Sequence, residues 1–387
     1  MPLKDDFLLN PEYRHLNHGS FGACPKPIFE DYQKWQLALE RDPVQFYVHD
    51  GNAHLQKSKE ALAEYINCDA DDLVMTMNPS YAINIIAKSF SLSAGDEILA
   101  TNHEYGALDR TWTYYCEKAG AKYVQQEIPI PLQSKEEFIE SFWKGYTHKT
   151  KAIFISHITS TTAIIFPVKE ICKRAKELGL ITIVDGAHVP GHIPLDLSQI
   201  EADIYTGACH KWMLTPKGCS FLYAKKEIQN QFDPLLISWG YDAELPGKSK
   251  FLDYHQLQGT RDYSAFLTLP SALKYLKDND WESVSAKCKQ DILNNYQSLC
   301  DIFGTEPIVP VTAEFLGQIC SVPVPIDDPS VLKSVLYDKY KIEIPVFKLR
   351  DRVFLRLSAQ AYVDQDDIDY LKDSLKEIVA SGLLKMH

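Results

Sequence analysis

One lysine of this sequence has a setting that suits covalent chemistry. Lys211 lies between His210 and Trp212, on a connection that follows one short apolar run and precedes another, Ser220–Ala224. An amine held between buried strands loses solvation, which lowers its pKa and favours imine formation with a carbonyl group. The alternative interpretation is a solvated lysine in an ordinary turn.

A carboxylate ends another apolar run of the sequence. Asp185 closes the run Leu180–Asp185 and is followed closely by His188. In an open parallel sheet, ligands bind beyond the carboxyl ends of the strands, so a polar side chain at that place is a candidate binding residue. The alternative is that Asp185 only caps the next turn.

Three further segments suit the binding of anions. The turn Asn78–Tyr81 precedes a predicted helix that begins near Ala82, so its backbone N–H groups and the Ser80 hydroxyl are candidates for holding a phosphate; the alternative is a plain helix N-cap by Ser80. Gly259–Arg261 is either a second phosphate contact or a turn. Arg356 lies on a predicted strand, and it is a carboxylate clamp if it faces a cleft and an edge charge if it faces water.

The elements that must position these residues alternate between strand and helix, which predicts a mostly parallel, doubly wound sheet. The predicted strands are Asp72–Met77, Glu97–Thr101, Lys122–Ile128, Ala152–His157, Leu180–Asp185, Ala202–Thr206 and Ser220–Ala224, and the intervening helices are Ala82–Phe90, Ala107–Ala119, Lys135–Tyr146 and Val168–Leu178. A smaller α+β region follows, with helices Ala265–Lys277, Val284–Ile302, Ser330–Tyr340 and Asp366–Val379 and strands Gln318–Val324 and Val353–Leu357. Two domains imply a cleft between them, where ligands usually bind.

The composition favours small-molecule chemistry. The 387 residues carry a net charge of -12, which argues against a basic surface for nucleic acid or for anionic membranes. The nine cysteines form no C-x-x-C pair, so we predict neither a disulfide framework nor a metal site. The N-terminus does not read as a signal peptide and no apolar run has membrane-spanning length, from which we expect a cytoplasmic protein.

Several strings, in this order, resemble the class V aminotransferase family of fold-type I pyridoxal-phosphate (PLP) enzymes, and within it the isopenicillin N epimerase-like proteins. They are LNHGSFGACP (16–25), NPSYAIN (78–84), NHEYGAL (102–108), SHITSTTAIIFPV (156–168), VDGAHVPG (184–191), CHKWMLTPKG (209–218), QGTRDYSA (258–265) and LRLSAQAY (355–362). The resemblance implies the α/β PLP-dependent transferase fold, with a mostly parallel seven-stranded sheet and a smaller α+β C-terminal domain. We expect an N-terminal segment at 1–15 packing near the small domain, a large PLP-binding domain at 16–258 and a small domain at 259–387.

The resemblance also assigns roles in the site. Lys211 would form a Schiff base with PLP, Asp185 would pair with the pyridine nitrogen, and His103 would stack on the ring. His188 would lie beside the phenolic oxygen of the cofactor, and Arg356 would bind the substrate α-carboxylate. The remaining implied cofactor contacts are Asn78, Pro79, Ser80, Ser160 and His210, with Gly259 and Thr260 reaching the cofactor of the partner in a homodimer; Asn17, His18 and Gly19 would line the substrate pocket.

Two departures narrow the activity. Cysteine desulfurases carry a nucleophilic Cys on a loop shortly before the carboxylate-binding Arg, whereas residues 344–353 contain no Cys and Cys320 lies in a predicted strand. Desulfurases also carry an Asn near position 160, where this chain has Ser160. Both departures disfavour desulfurase activity and favour the epimerase-like branch.

The expected chemistry is therefore attack at the Cα of an amino acid, with Lys211 as general base. β-Elimination at a C–S bond and epimerisation are ranked equally, and transamination is the alternative. Outside the enzymes, a PLP-fold binding or regulatory protein is the competing hypothesis. A nucleotide-binding α/β enzyme is disfavoured because neither a G-x-G-x-x-G nor a G-x-x-x-x-G-K-[ST] turn occurs.

Overall fold

The computed structural model describes residues 3–256 and 258–386. Positions 1 and 2 of the predicted N-terminal segment, position 257 of the predicted large domain and position 387 of the predicted small domain lie outside the described residues. The strands are β1 (Arg14–His15), β2 (Leu73–Thr76), β3 (Glu97–Thr101), β4 (Lys122–Gln126), β5 (Thr150–Ser156), β6 (Ile181–Asp185), β7 (Ile204–Ala208), β8 (Ser220–Ala224), β9 (Ile319–Val324), β10 (Ile342–Glu343), β11 (Val346–Leu349) and β12 (Arg352–Ser358). The α-helices are α1 (His18–Phe21), α2 (Lys26–Arg41), α3 (Gly51–Ile66), α4 (Pro79–Ser89), α5 (Gly106–Ala119), α6 (Lys135–Trp143), α7 (Val168–Glu177), α8 (Leu197–Ile200), α9 (Lys250–Gln256), α10 (Ser264–Leu267), α11 (Leu269–Asp278), α12 (Trp281–Ile302), α13 (Pro329–Asp338) and α14 (Gln365–Ala380).

A seven-stranded sheet forms the centre of the molecule, in the order β2-β8-β7-β6-β5-β3-β4. All of its strands run parallel except β8, which is antiparallel to both neighbours. The α/β architecture predicted from the alternating pattern is confirmed. Strand β7 begins at Ile204 instead of Ala202, and just before it the Asp203 N–H donates to the Thr182 hydroxyl and not to a carbonyl of a neighbouring strand.

The sheet is covered on both faces, which is why its strands are apolar along almost their whole length. One face packs around Trp112, Phe154 and Ile83, and the other around Tyr205, Phe221 and Phe138. The helices contribute apolar stripes: α7 buries Val168, Ile171, Cys172 and Ala175 and exposes its charged residues.

The sheet brings the ends of distant segments together. Ser156 on β5 is paired with Asp185 on β6, and Asp185 is paired with Thr206 on β7. Because β2, β3, β5, β6 and β7 all end at the same edge, the segments that follow them share one surface. Five of the predicted site segments lie at this carboxyl edge, one after each of these strands.

The C-terminal part contains a three-stranded antiparallel sheet, in the order β11-β12-β9, with α12 packed against β9. The N-terminal strand β1 pairs in parallel with β10, so the chain start contacts this C-terminal part. The boundaries of the domains stay a prediction. The single predicted helix Ala265–Lys277 is wrong: two helices, α10 and α11, occur there, and Pro270, which lacks a backbone N–H, lies in the first turn of the second.

Within residues 3–256 and 258–386, no helix combines the length and the apolar character needed to cross a membrane.

Candidate active site

Lys211 projects from the connection between β7 and β8 towards His188, and the Lys211 Nζ and His188 Nε2 atoms are 3.2 Å apart. Burial, together with the charge of the nearby Arg356 guanidinium, lowers the pKa of Lys211 to about 7, although the Asp185 carboxylate acts in the opposite direction. The solvated-lysine alternative does not describe this amine, because a substantial fraction is unprotonated at neutral pH. An unprotonated amine is the form that attacks a carbonyl or removes a proton.

The N-terminal segment holds the backbone at Lys211. His18 is buried, and its Nε2 lies 3.0 Å from the Lys211 carbonyl oxygen, while its Nδ1 lies 3.1 Å from the Tyr362 hydroxyl. Gly22 has a φ of +69°, and a Cβ at this position would lie 2.1 Å from the His210 carbonyl oxygen. Only glycine fits such an approach, so the chain start and the Lys211 connection are packed as one unit.

Asp185 is the last residue of β6 and is buried. One carboxylate oxygen accepts a hydrogen bond from the Ala187 N–H at 3.0 Å, as the turn-capping alternative requires. The other oxygen accepts none from the part of the chain that the structure describes. Burial raises the pKa of Asp185, while the Ala187 N–H and the Lys211 charge lower it. A carboxylate with one free oxygen at a strand end is suited to bind a protonated ligand nitrogen.

His103 follows β3 and is buried, with both ring nitrogens occupied. Its Nδ1 lies 3.0 Å from the Thr162 hydroxyl and its Nε2 lies 3.2 Å from the Ile128 carbonyl oxygen. Burial lowers the pKa of His103 to about 4, so the ring is neutral at physiological pH. A neutral imidazole fixed at both nitrogens offers its flat face for stacking and no proton for transfer.

The predicted anion-binding turn has a different cap from the one expected. Asn78 Oδ1 accepts a hydrogen bond from the Tyr81 N–H at 2.8 Å, so Asn78 is the N-cap and α4 begins at Pro79. The proposed N-cap by Ser80 is wrong, because Ser80 lies inside the first turn. Its N–H is therefore one of the first-turn donors at the start of the helix, where an anion is stabilised. His210 bonds the Cys219 carbonyl through Nδ1, which leaves its Nε2 for a ligand.

Arg356 is 1% exposed, so the edge-charge alternative is wrong. Its Nη1 donates to the Ser160 carbonyl oxygen at 2.5 Å, its Nη2 donates to the Ser20 hydroxyl at 2.9 Å, and its guanidinium lies 4.8 Å from the ring centre of Phe347. Its Nε–H is buried without a partner among the described residues. Burial lowers the pKa of Arg356 to about 10, and no carboxylate of the described residues offsets its charge. A buried guanidinium in this state is suited to bind a ligand carboxylate.

Three predicted residues have other surroundings. Gly259 and Thr260 are exposed in the single chain, and the neighbouring Gln258 accepts a hydrogen bond from the Tyr81 hydroxyl at 3.0 Å. Asn17 donates to Glu343 at 3.0 Å. By contrast, Gly19 lies beside the cluster, because a Cβ there would be 3.5 Å from the His188 ring.

Sequence reasoning missed several residues that complete the cluster. Ser20 and Phe347 contact Arg356, and Trp212 donates to His188. Glu104 is buried and accepts hydrogen bonds from the Ser156 N–H at 2.8 Å, the Ser156 hydroxyl at 2.5 Å and the Thr101 hydroxyl at 2.6 Å. The available signal was adjacency, since Ser20, Glu104 and Trp212 each follow a predicted site residue.

Comparisons with known proteins identify the family and the fold of this chain. The aminotransferase class-V family model matches residues 28–371. Isopenicillin N epimerase of Amycolatopsis lactamdurans is 29% identical, with 97% of each chain covered, and L-cysteine desulfhydrase of Arabidopsis thaliana is 27% identical, covering 94% of this chain and 87% of that protein.

Solved structures show the same fold. The apo structure of a cysteine desulfurase from Thermococcus onnurineus superposes with a TM-score of 0.84 at 20% identity, covering 98% of both chains. A C-DES mutant with glycine covalently linked to the PLP cofactor superposes with a TM-score of 0.80 at 20% identity, covering 97% of this chain and 100% of that one. The family match spans most of the sequence, so the chain is a member of the class V aminotransferase family, with the fold of the fold-type I enzymes.

Proposed function

We propose that this chain acts at the Cα of an amino-acid substrate and that Lys211 removes the Cα proton. The observation that carries the proposal is a pair of groups brought together from two sheets. One is the Lys211 amine, with a pKa near 7, and the other is the buried Arg356 guanidinium of β12, which has no carboxylate partner among the described residues. Every amino acid with a Cα–H bond offers the amine a proton to remove and offers the guanidinium a carboxylate to bind.

The cofactor of this PLP-dependent enzyme is pyridoxal 5'-phosphate, and the described residues fit it. Lys211 supplies the amine for its carbonyl group, the free oxygen of Asp185 suits its ring nitrogen, and the flat face of His103 suits its ring. Ser80 at the start of α4 and His210 Nε2 suit its phosphate. When bound, the cofactor withdraws electrons from the substrate Cα and so acidifies the Cα–H bond.

Arg356 orients the substrate in this proposal. A guanidinium presents its donors in one plane, so a carboxylate that takes two of them is fixed in direction as well as in place. Ser160 and Ser20 hold Nη1 and Nη2, and Phe347 covers the guanidinium face. The orientation turns the Cα–H bond of the substrate towards Lys211.

The reaction after proton removal is either β-elimination at a C–S bond or epimerisation. Relatives named for each activity cover nearly the whole chain, at 29% and 27% identity. Transamination is the alternative. Desulfurase activity stays disfavoured, because residues 344–353 hold no Cys and burial raises the pKa of Cys320 well above its usual value, which makes that thiol a poor nucleophile.

The test is a panel of L-amino acids incubated with purified holoenzyme and with a Lys211→Ala variant. Pyruvate release reports elimination, exchange of the Cα hydrogen for deuterium together with loss of optical purity reports epimerisation, and formation of pyridoxamine phosphate reports transamination. Borohydride treatment of the wild type should leave the cofactor attached to the peptide that contains Lys211. Attachment elsewhere, or full turnover by the variant, contradicts the proposal, and turnover of any amino acid excludes a non-catalytic binding protein.

We also propose a homodimer in which Thr260 of one subunit contacts the cofactor of the other. Thr260 is exposed in the single chain, and in the preceding segment Trp239 is 86% exposed and Leu245 is 92% exposed. Such exposed apolar side chains support the packing of a second subunit over this surface. Mixing Lys211→Ala subunits with Thr260→Ala subunits tests this. If Thr260 acts on the partner, one site of each mixed dimer is intact and about a quarter of wild-type activity returns; if it acts within its own chain, no activity returns.

A further inference from the structure

Trp212 lies at the centre of a group of buried rings next to the Lys211 amine. Its ring centre is 4.0 Å from that of His192 and 4.8 Å from that of His18, and its indole N–H donates to His188 Nδ1 at 3.3 Å. The indole is 0% exposed, and within the part of the chain that the structure describes its N–H has no other partner. The sequence left this residue without a role.

The tautomer of His188 follows from this hydrogen bond. An indole N–H is a donor only, so His188 Nδ1 must be the acceptor and cannot carry the hydrogen. Burial, and the charges of Lys211 and Arg356, lower the pKa of His188 well below its usual value, so the ring is neutral and its single hydrogen is on Nε2. Nε2 is the atom that faces Lys211 Nζ at 3.2 Å.

The neighbouring rings hold this arrangement from both sides. His192 Nε2 accepts the Gln318 N–H at 2.6 Å, so its Nδ1 carries the hydrogen and donates to the His188 carbonyl oxygen at 2.8 Å. Burial lowers the pKa of both His18 and His192 to about 3, so neither ring competes for a proton. The charged and titratable groups that face His188 are therefore Lys211 and Arg356, with His18 and His192 neutral.

We propose that Trp212 is a positioning residue that fixes His188 in the tautomer with its hydrogen on Nε2, so that His188 presents a donor to Lys211 and to the cofactor beside it. With its hydrogen on Nε2, His188 offers Lys211 Nζ a donor and no acceptor. A protonated Lys211 could only donate, so this arrangement favours the unprotonated amine. The inference rests on the proposed role of Lys211 and is independent of the reaction that follows proton removal.

The direct test is nuclear magnetic resonance of holoenzyme labelled with ring-¹⁵N histidine, with the His188 signals assigned by a His188→Gln variant. We expect an unprotonated Nδ1 and a protonated Nε2 in the wild type, and a mixture of tautomers in Trp212→Phe. The reverse pattern in the wild type overturns the proposal, and this measurement remains decisive if Trp212→Phe does not fold.

The second readout is the pH midpoint of the visible absorbance of the bound cofactor. In Trp212→Phe, His188 would donate less often to the phenolic oxygen of the cofactor, and that oxygen would keep more of its negative charge. The nearby proton whose loss changes the absorbance would then be held more tightly, so the midpoint should rise by about half to one pH unit. The matched control is Trp112→Phe, because Trp112 is also 0% exposed but its indole N–H has no partner among the described residues. Any outcome other than an upward shift larger than that of the control overturns the proposal. Failure of the borohydride attachment to Lys211 would separately identify a failure of the proposed function.

Discussion

Replacing Arg356 by glutamine should weaken recognition of the substrate carboxylate, and by removing a nearby charge it should also raise the pKa of Lys211. Nη1 donates to the carbonyl and the hydroxyl of Ser160, and Nη2 donates to Ser20, which leaves the buried Nε–H and the second hydrogen of Nη2 for a ligand. A hydrogen bond to a charged group contributes about 1.5–3 kcal/mol, so loss of a two-bonded carboxylate costs about 3 kcal/mol after solvation of the free substrate. This free energy corresponds to about a 150-fold loss in kcat/KM.

The assay compares each amino acid with the amine that lacks its carboxylate, by the change in cofactor absorbance on binding. In the wild type the amino acid should bind far more tightly than the amine, and in Arg356→Gln the two should bind alike. The binding free energy lost in the variant is then assigned to the interaction between Arg356 and the substrate carboxylate. The control is Arg352→Gln on the same strand, whose Nη1 bonds the Ile130 carbonyl. Equal weakening of amino acid and amine in Arg356→Gln would refute the assignment.

Three further predictions follow from burial and backbone geometry. The rate of PLP capture by the apo-protein should rise with pH around a midpoint near 7, because the pKa of Lys211 is lowered to about 7 and only the neutral amine attacks. Stopped-flow absorbance measures this rate, and a midpoint near 10 would contradict the prediction. Burial raises the pKa of Glu104 to about 8, so the folded state binds more protons than the unfolded state between the ordinary carboxyl pKa and pH 8. The melting temperature should therefore fall as pH rises through that window, and it should fall less steeply in Glu104→Gln. Gly22→Ala should reduce the PLP content of the purified protein, whereas the control Gly179→Ala, also at positive φ (+70°) but with nothing within 4 Å, should only lower the melting temperature by a few degrees.

The sheet was predictable because its strands are short, apolar and separated by amphipathic helices. Glu97–Thr101 and Ser220–Ala224 occur with the predicted bounds. The sequence also indicated which edge of the sheet carries the site, since parallel strands place their carboxyl ends together. Periodicity therefore predicts the position of Asp185 without any knowledge of its partners.

The elements that sequence reasoning missed bury little apolar surface or depend on distant contacts. Helix α2 has 16 residues but buries only Ile28 and Leu39 among them, so its pattern gives a weak signal. Strand β11 exists because Val346–Leu349 pairs with β12 across a tight turn at Arg350, which has a φ of +55°. Such pairing is a tertiary effect that local propensity does not contain.

The same limit applies to the site. Ser20 and Arg356 are 336 positions apart in the chain and are joined by one hydrogen bond. Trp212 looks like a core aromatic by sequence, and its role depends on the orientation of its N–H towards His188. A sequence names the residue types of such a site, whereas the contacts between them come from the packing of separate elements.

The proton inventory of the site predicts how epimerisation would proceed if this enzyme carries it out. Burial lowers the pKa values of His103 and His210 to about 4 and of His18 to about 3, so these rings neither take nor give protons near neutral pH. Lys211, with a pKa near 7, remains as the base at Cα. One base that removes and returns the same proton gives internal return, so an epimerised product formed from Cα-deuterated substrate in ordinary water should retain part of its deuterium. Mass spectrometry of the separated enantiomers measures this, and complete exchange in the inverted product from the first turnover would contradict the predicted internal return.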